Sequence, residues 1–290
     1  MNEEVKFLMG TGVPKNFEPG TFYFDSASGI LRLCSNDDKN SVWECQFEPL
    51  TDFSQYTSLN DMDWDKIAQL SDIIADYGIG NNKVPKWLKV GSTKSVTINN
   101  INCTFAVLGY NHDTLSNGRK AGITFGLVGM TGNKCPVNST MHGSTYINST
   151  GRSTLGDLIS TSMTNSIPQD LRAVLAPVKK WSVTSSHGKV ETVDKLWLFS
   201  YSELFGDESD HSGIGKSEEF SAERSYAGKY EYFNKDTSNR KFGTYYYTRS
   251  ICQAGCKDFI VVTAKGQPTD DLSDTTSRAL RFGFCVSRII

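Results

Sequence analysis

The sequence predicts an α+β protein, and three observations carry that expectation. Short apolar, β-rich runs recur along most of the 290 residues. Helical spacing is confined to two stretches, around residues 61–77 and 154–175. The two kinds of segment do not alternate as they would in a parallel βαβ array. The strongest strand signals are FAVLGY (105–110) and AGITFGL (121–127), apolar β-rich runs of the kind that form strands buried on both faces. Between them NHDTLSNGRK is polar, and its Asn117-Gly118 pair is a turn signal.

Residues 1 to about 55 differ from the rest. TFYFD and ILRLC flank Ser26-Ala27-Ser28-Gly29, the pattern of a hairpin whose glycine supplies positive φ. SVWECQF, with Trp43 and Phe47, predicts a third strand. Three short strands are close to the minimum for independent stability. This piece is therefore either a module that leans on other copies or a larger assembly, or an extra edge sheet of the main domain. Residues 56–290 are expected to form that main domain.

Its first element is a helix with Asn60 or Asp61 as N-cap and Trp64, Ile67, Leu70 and Ile74 on one face, ending before Gly78 and Gly80. VPKWLKVGSTKSVTI is a turn entering a strand. Residues 128–150, rich in Gly, Ser, Thr and Asn, predict a long surface loop. Leu155, Leu158, Ile159 and Met163 share a helical face. A second short helix starts after Pro168, carries Leu171 and Leu175, and is stopped by Pro177. VKKWSVT and KLWLFSYSELFG predict strands with Trp181, Trp197 and Phe199 as core anchors. After a polar loop at 206–225, YEYF, TYYYTRS, FIVVTAKG and LRFGFCVSRI complete a β-rich C-terminal part.

The totals limit the function. Thirty Lys and Arg against 32 Asp and Glu give a net charge of −2, and no basic run stands out, which argues against a nucleic-acid partner. No apolar stretch approaches the roughly 20 residues of a membrane helix. The acidic start MNEEV is unlike a signal peptide. Seven scattered cysteines without metal spacing then predict free thiols in a reducing cytosol, and no cofactor is expected.

Candidate chemistry is sparse. His112 and Asp113 could serve as a base and its orienting partner, but neighbours in a strand point to opposite faces, which favours local loop bonding. Asp207, Glu208 and Asp210, with Asp270, Asp271 and Asp274, are oxygen ligands of the type calcium takes, in no EF-hand order, so no metal is assigned. The serines lack a nucleophile-elbow context, and GIGK (213–216) lacks the spacing of a phosphate loop. Tyr226, Tyr230, Tyr232, Tyr245, Tyr246 and Tyr247 offer rigid amphipathic surface suited to recognition. On alternation, Tyr245 and Tyr247 share one face, Tyr246 and Thr248 the other, and one face belongs to the core.

One ordered set of motifs spans residues 61–290. MDWDKIAQLSD, WLKVGSTKSVTI, FAVLGYNHDTL, RKAGITFGL, STLGDLIST, LAPVKKW, VDKLWLFSYSELFG, YAGKYEYF, YYYTRS and LRFGFCV follow one another. Together they resemble a family of uncharacterised domains from gut Firmicutes and their bacteriophages, similar to the formylglycine-generating-enzyme version of the C-type-lectin fold. PGTFYFDSASGILRL resembles a short β module at the start of phage structural proteins. The resemblance implies a non-enzymatic virion protein of head or tail, made in the host cytoplasm. Residues 1–55 would attach it to other virion proteins or to further copies, without membrane insertion. The lectin-like domain would bind a host-surface glycan or protein through Tyr246, Arg249, Gln253, Lys257, Asp270 and Asp271. It also raises two alternatives: a thiol-dependent oxidase using Cys252 and Cys256, or an architectural decoration with no external ligand.

Overall fold

A computed structural model describes residues 6–10, 20–25, 30–34, 42–46, 52–131, 138–139, 147–148, 151–152, 159, 163–184, 188–206, 228–251, 259–271 and 278–289. The chain divides into two compact units, Met1–Asp52 and Phe53–Ile290. The architecture is α+β, mostly β-sheet with few helices.

The first unit is a four-stranded sheet in chain order: β1 (Lys6–Gly10), β2 (Thr21–Asp25), β3 (Ile30–Cys34) and β4 (Val42–Gln46). Three of these strands match the sequence expectation; β1 is additional, pairing parallel with β2 and so announcing itself by no local turn.

The second unit opens with a 3-10 turn, Leu59–Asp61, capped by Ser58. Then comes α1 (Trp64–Tyr77), whose N-cap is Asp63, accepting from the Lys66 amide, and not Asn60 or Asp61 as expected. The expected apolar face is correct: Trp64, Ile67, Leu70 and Ile74 are all buried. Gly78, at φ 81°, ends the helix.

Next come β5 (Thr93–Ile98), β6 (Ile101–Tyr110) and β7 (Ile123–Met130), an antiparallel meander. Three two-residue strands follow, β8 (Asn138–Ser139), β9 (Ile147–Asn148) and β10 (Gly151–Arg152). After them lie α2 (Gln169–Val174), β11 (Leu175–Ala176), the hairpin β12 (Val178–Thr184) and β13 (Gly188–Asp194), and β14 (Trp197–Leu198). Leu175, expected in the second helix, opens β11 instead.

Two stretches expected to be strands are helical. In KLWLFSYSELFG only β14 is extended, and Ser200 then starts α3 (Tyr201–Phe205). YEYF enters α4 (Glu231–Lys235) with Tyr230 as N-cap. The chain finishes with β15 (Tyr246–Ile251), β16 (Phe259–Val262), β17 (Pro268–Asp271), β18 (Arg278–Ala279) and β19 (Phe282–Val286).

These strands form two main sheets. One has the order β11-β19-β7-β6-β5, with β14 also paired to β19. The other has the order β17-β16-β15-β18-β8. The last strand thus returns to the middle of the first sheet, so the unit is closed by contacts distant in sequence.

Close packing explains three glycines. A side chain at Gly122 would put its Cβ 1.8 Å from the Ser71 carbonyl oxygen, because α1 lies directly on the start of β7. There the Ser71 hydroxyl accepts from the Ile123 amide at 3.0 Å. Gly126 and Gly283 face each other across β7 and β19, and the Phe199 ring fills the space above them. Trp64 packs edge-on against Phe125 and Phe284, at 5.5 and 5.7 Å between ring centres.

Candidate functional site

The densest group of chemistry-capable side chains lies inside the second unit, where four acids and bases alternate in sign. Asp113 sits in the β6–β7 connection, Lys180 on β12, Glu203 in α3 and Arg249 on β15. The Lys180 ammonium donates to Asp113 Oδ1, to Glu203 Oε1 at 2.8 Å and to the Tyr230 hydroxyl at 3.1 Å. Glu203 Oε2 in turn accepts from Arg249 Nη1 and from the Ser200 amide at 2.8 Å. Arg249 continues to the carbonyls of Leu198 and Trp181. The second Asp113 oxygen accepts from the Thr124 hydroxyl at 2.7 Å.

Local sequence explains the placement. Lys180 and Ser182 are buried on the same face of β12, so the strand turns a lysine inward where a valine would be usual. The ammonium also lies 4.0 Å from the centre of the Trp197 ring. Glu203 stands three residues after Ser200: its carboxylate accepts the Ser200 amide while the Ser200 hydroxyl accepts the Glu203 amide. That capping box fixes α3 and aims the acid at the same time.

The electrostatics follow from burial and pairing. Burial alone would raise the Glu203 carboxyl, but Arg249 and Lys180 overrule it and hold it down to about 2. Burial would also raise Asp113, yet Lys180 and His112 keep it well below the usual carboxylate range. Burial, then the Asp113 charge, pushes the Cys285 thiol well up. The Cys285 sulfur is 3.3 Å from the Thr124 hydroxyl, and as a thiol it is a poor nucleophile. Burial likewise drives the Tyr230 hydroxyl well above the ordinary range for tyrosine, with Asp113 and Glu203 adding to the effect. The set has equal numbers of plus and minus charges, each of them engaged, and none faces water.

A second buried cation has a different surrounding. Arg281 donates to the carbonyls of Leu127, Arg240 and Asn239 and to the Tyr246 hydroxyl. Its guanidinium lies about 5 Å from the rings of Phe233, Phe242 and Tyr246.

The residues expected at a ligand-binding rim are therefore distributed otherwise. Tyr246 is wholly buried, its hydroxyl donating to the Arg240 carbonyl at 2.9 Å. Arg249 is buried in the charge network. Neither side chain reaches the surface, because β15 lies between β16 and β18 and residues 246–250 are buried on both faces. Tyr247 is buried as well, and Tyr245 is the exposed member of the run, so the expected alternation is lost. Asp270 and Asp271 lie on β17, paired with Ile260 and Phe259. Gln253 and Lys257, with Cys252 and Cys256, Asp207, Glu208, Asp210, Asp274 and Tyr226, lie outside the described residues.

His112 and Asp113 come closer to one another than strand alternation allows, with 3.6 Å between Nδ1 and Oδ2, because the chain has already left β6. Among the described residues no group of three His, Cys, Asp or Glu side chains could hold a metal ion. No described helix is long and apolar enough to cross a membrane. Comparison of the chain with family profiles, with curated proteins and with solved structures found no match.

Proposed function

We propose that the chain is a non-catalytic structural protein of a phage particle. Its second unit, a C-type-lectin-like domain, displays loops toward a host-surface glycan or protein, and its first unit attaches it to the particle. The observation that carries the non-catalytic part is the charge network. Asp113, Lys180, Glu203 and Arg249 have the residue types of an active site, yet they neutralise one another in the interior and leave no group aimed at a substrate. A catalytic acid or base must reach the proton it transfers. Buried and saturated charges are suited to holding β12, α3 and β15 in one arrangement, the support that binding loops need. The phage assignment and the lectin-like fold rest on the ordered motifs of residues 61–290, and a mostly antiparallel α+β unit is compatible with them.

On this reading, recognition falls to exposed positions. Tyr245 is 41% exposed, with the Arg278 guanidinium 5.0 Å from its ring centre, and it takes the role first assigned to Tyr246. Multiple copies on a particle would turn weak single contacts into avidity. The test compares the full chain with residues 53–290 in particle incorporation and in binding to host cells. The fragment is expected to fold and bind cells weakly, and to stay out of particles. Normal incorporation of the fragment contradicts the attachment role. Failure of particles carrying the full chain to bind cells any better than particles lacking it contradicts the recognition role.

A further inference from the structure

His112 stands where the buried network approaches solvent. Its side chain is 19% exposed, whereas those of Asp113, Lys180 and Glu203 are 4% or less. The two ring nitrogens face different groups. Nε2 is 2.9 Å from the Gly228 carbonyl oxygen, just before Tyr230 caps α4. Nδ1 is 3.6 Å from Asp113 Oδ2, too long for a hydrogen bond and close enough for an ion pair. The ring also lies against Tyr230, with 4.2 Å between ring centres.

This geometry fixes the proton count. A carbonyl oxygen can only accept, so Nε2 must carry a hydrogen. In the neutral ring Nδ1 then points a lone pair at the Asp113 carboxylate, which is repulsive. Only the imidazolium makes both contacts attractive, with one N–H for the carbonyl and one for the acid. We propose that His112 is a proton-operated clasp, which joins Asp113 to the Gly228 backbone when charged and releases the acid when neutral.

The other described groups facing the ring do not reverse this. Glu203 favours the charged form and Lys180 opposes it. Lys120 reaches only the His112 backbone carbonyl, at 3.3 Å. Tyr230 stays a neutral phenol, because burial and the two acids hold it protonated. Burial taken alone lowers the pKa of His112, and attraction to Asp113 more than offsets it, so the ring titrates above the ordinary value of about 6.5. A histidine raised on folding contributes stability that is complete below about 6.5 and disappears as pH rises through the folded value. The clasp therefore makes the domain more stable in mild acid than in mild base.

The experiment is an NMR titration of the histidine ring protons in the full chain between pH 5 and 9, with His112 assigned by its loss in His112→Gln. Glutamine keeps a donor for the Gly228 carbonyl and removes the titration, so the fold is retained. The expected result is a His112 midpoint above 6.5, together with a fall in Tm from pH 6.5 to 8.5 that is flattened in His112→Gln. A midpoint at or below 6.5 overturns the proposal, as does an equal fall in Tm in both proteins. If His112→Gln does not fold, His112 is assigned in the wild-type chain by through-bond correlation to its backbone: a midpoint at or below about 6.5 overturns the proposal, and one above it supports it.

Discussion

Lys180 has three ammonium protons and three acceptors for them: Asp113, Glu203 and Tyr230. That saturation makes a buried lysine tolerable, since an isolated ammonium in the interior would lose its proton instead. The two acids then set the acid limit of the fold. Both are held below their unfolded values, so the unfolded chain binds more protons as pH falls. Their contribution is complete above about pH 5 and disappears as pH falls toward the value of about 2 at Glu203. A urea-denaturation series from pH 6 to 2 should show the midpoint dropping mainly below pH 4, and a midpoint independent of pH there would contradict the pairing. At this scale the sequence was least legible. Tyr246 and Arg249 are amphipathic, and a single sequence does not say whether such residues line a rim or a core. Here both faces of β15 are covered, so residues 246–250 are all buried and alternation carries no information. Lys180 and Glu203 were overlooked for the related reason that buried charge is the exception. Only the Ser200–Glu203 spacing offered a clue.

Elements were more legible where local and global signals agreed. FAVLGY and AGITFGL form β6 and β7, and Gly118 takes φ 89° in the turn that Asn117-Gly118 announces. The two missed helices show the limit. YEYF and the SYSELF part of KLWLFSYSELFG are aromatic and β-prone, but a capping box starts one helix and tertiary contacts override propensity in the other. Glycine positions test the packing of α1 on the first sheet. Gly122→Ala forces a Cβ onto the Ser71 carbonyl and should destabilise by about 3 kcal/mol or more. Gly118→Ala meets no atom within 4 Å and should lose only the backbone strain of about 1–2 kcal/mol. Equal urea midpoints for the two variants would contradict the close approach of α1 to β7.

The second unit is closed by contacts distant in sequence, and interior charge holds its parts in one arrangement. The ion pairs join segments from residue 113 to residue 249, so they form only when these distant parts of the second unit have come together. Such a network contributes to the choice of one arrangement more than to net stability, because desolvation offsets much of the attraction. Removing one partner is a different matter, since it strands a buried charge at a loss of about 3–5 kcal/mol. The most direct test is a double-mutant cycle in urea on Glu203→Gln and Arg249→Met, with cell binding measured on each protein below its unfolding transition. The expected result is a loss of about 3–5 kcal/mol for each single variant, a double variant well short of their sum, and cell binding unchanged in every variant that folds. Near-normal stability with binding abolished would place Glu203 and Arg249 in a working site and contradict the claim that their charges are spent inside the fold.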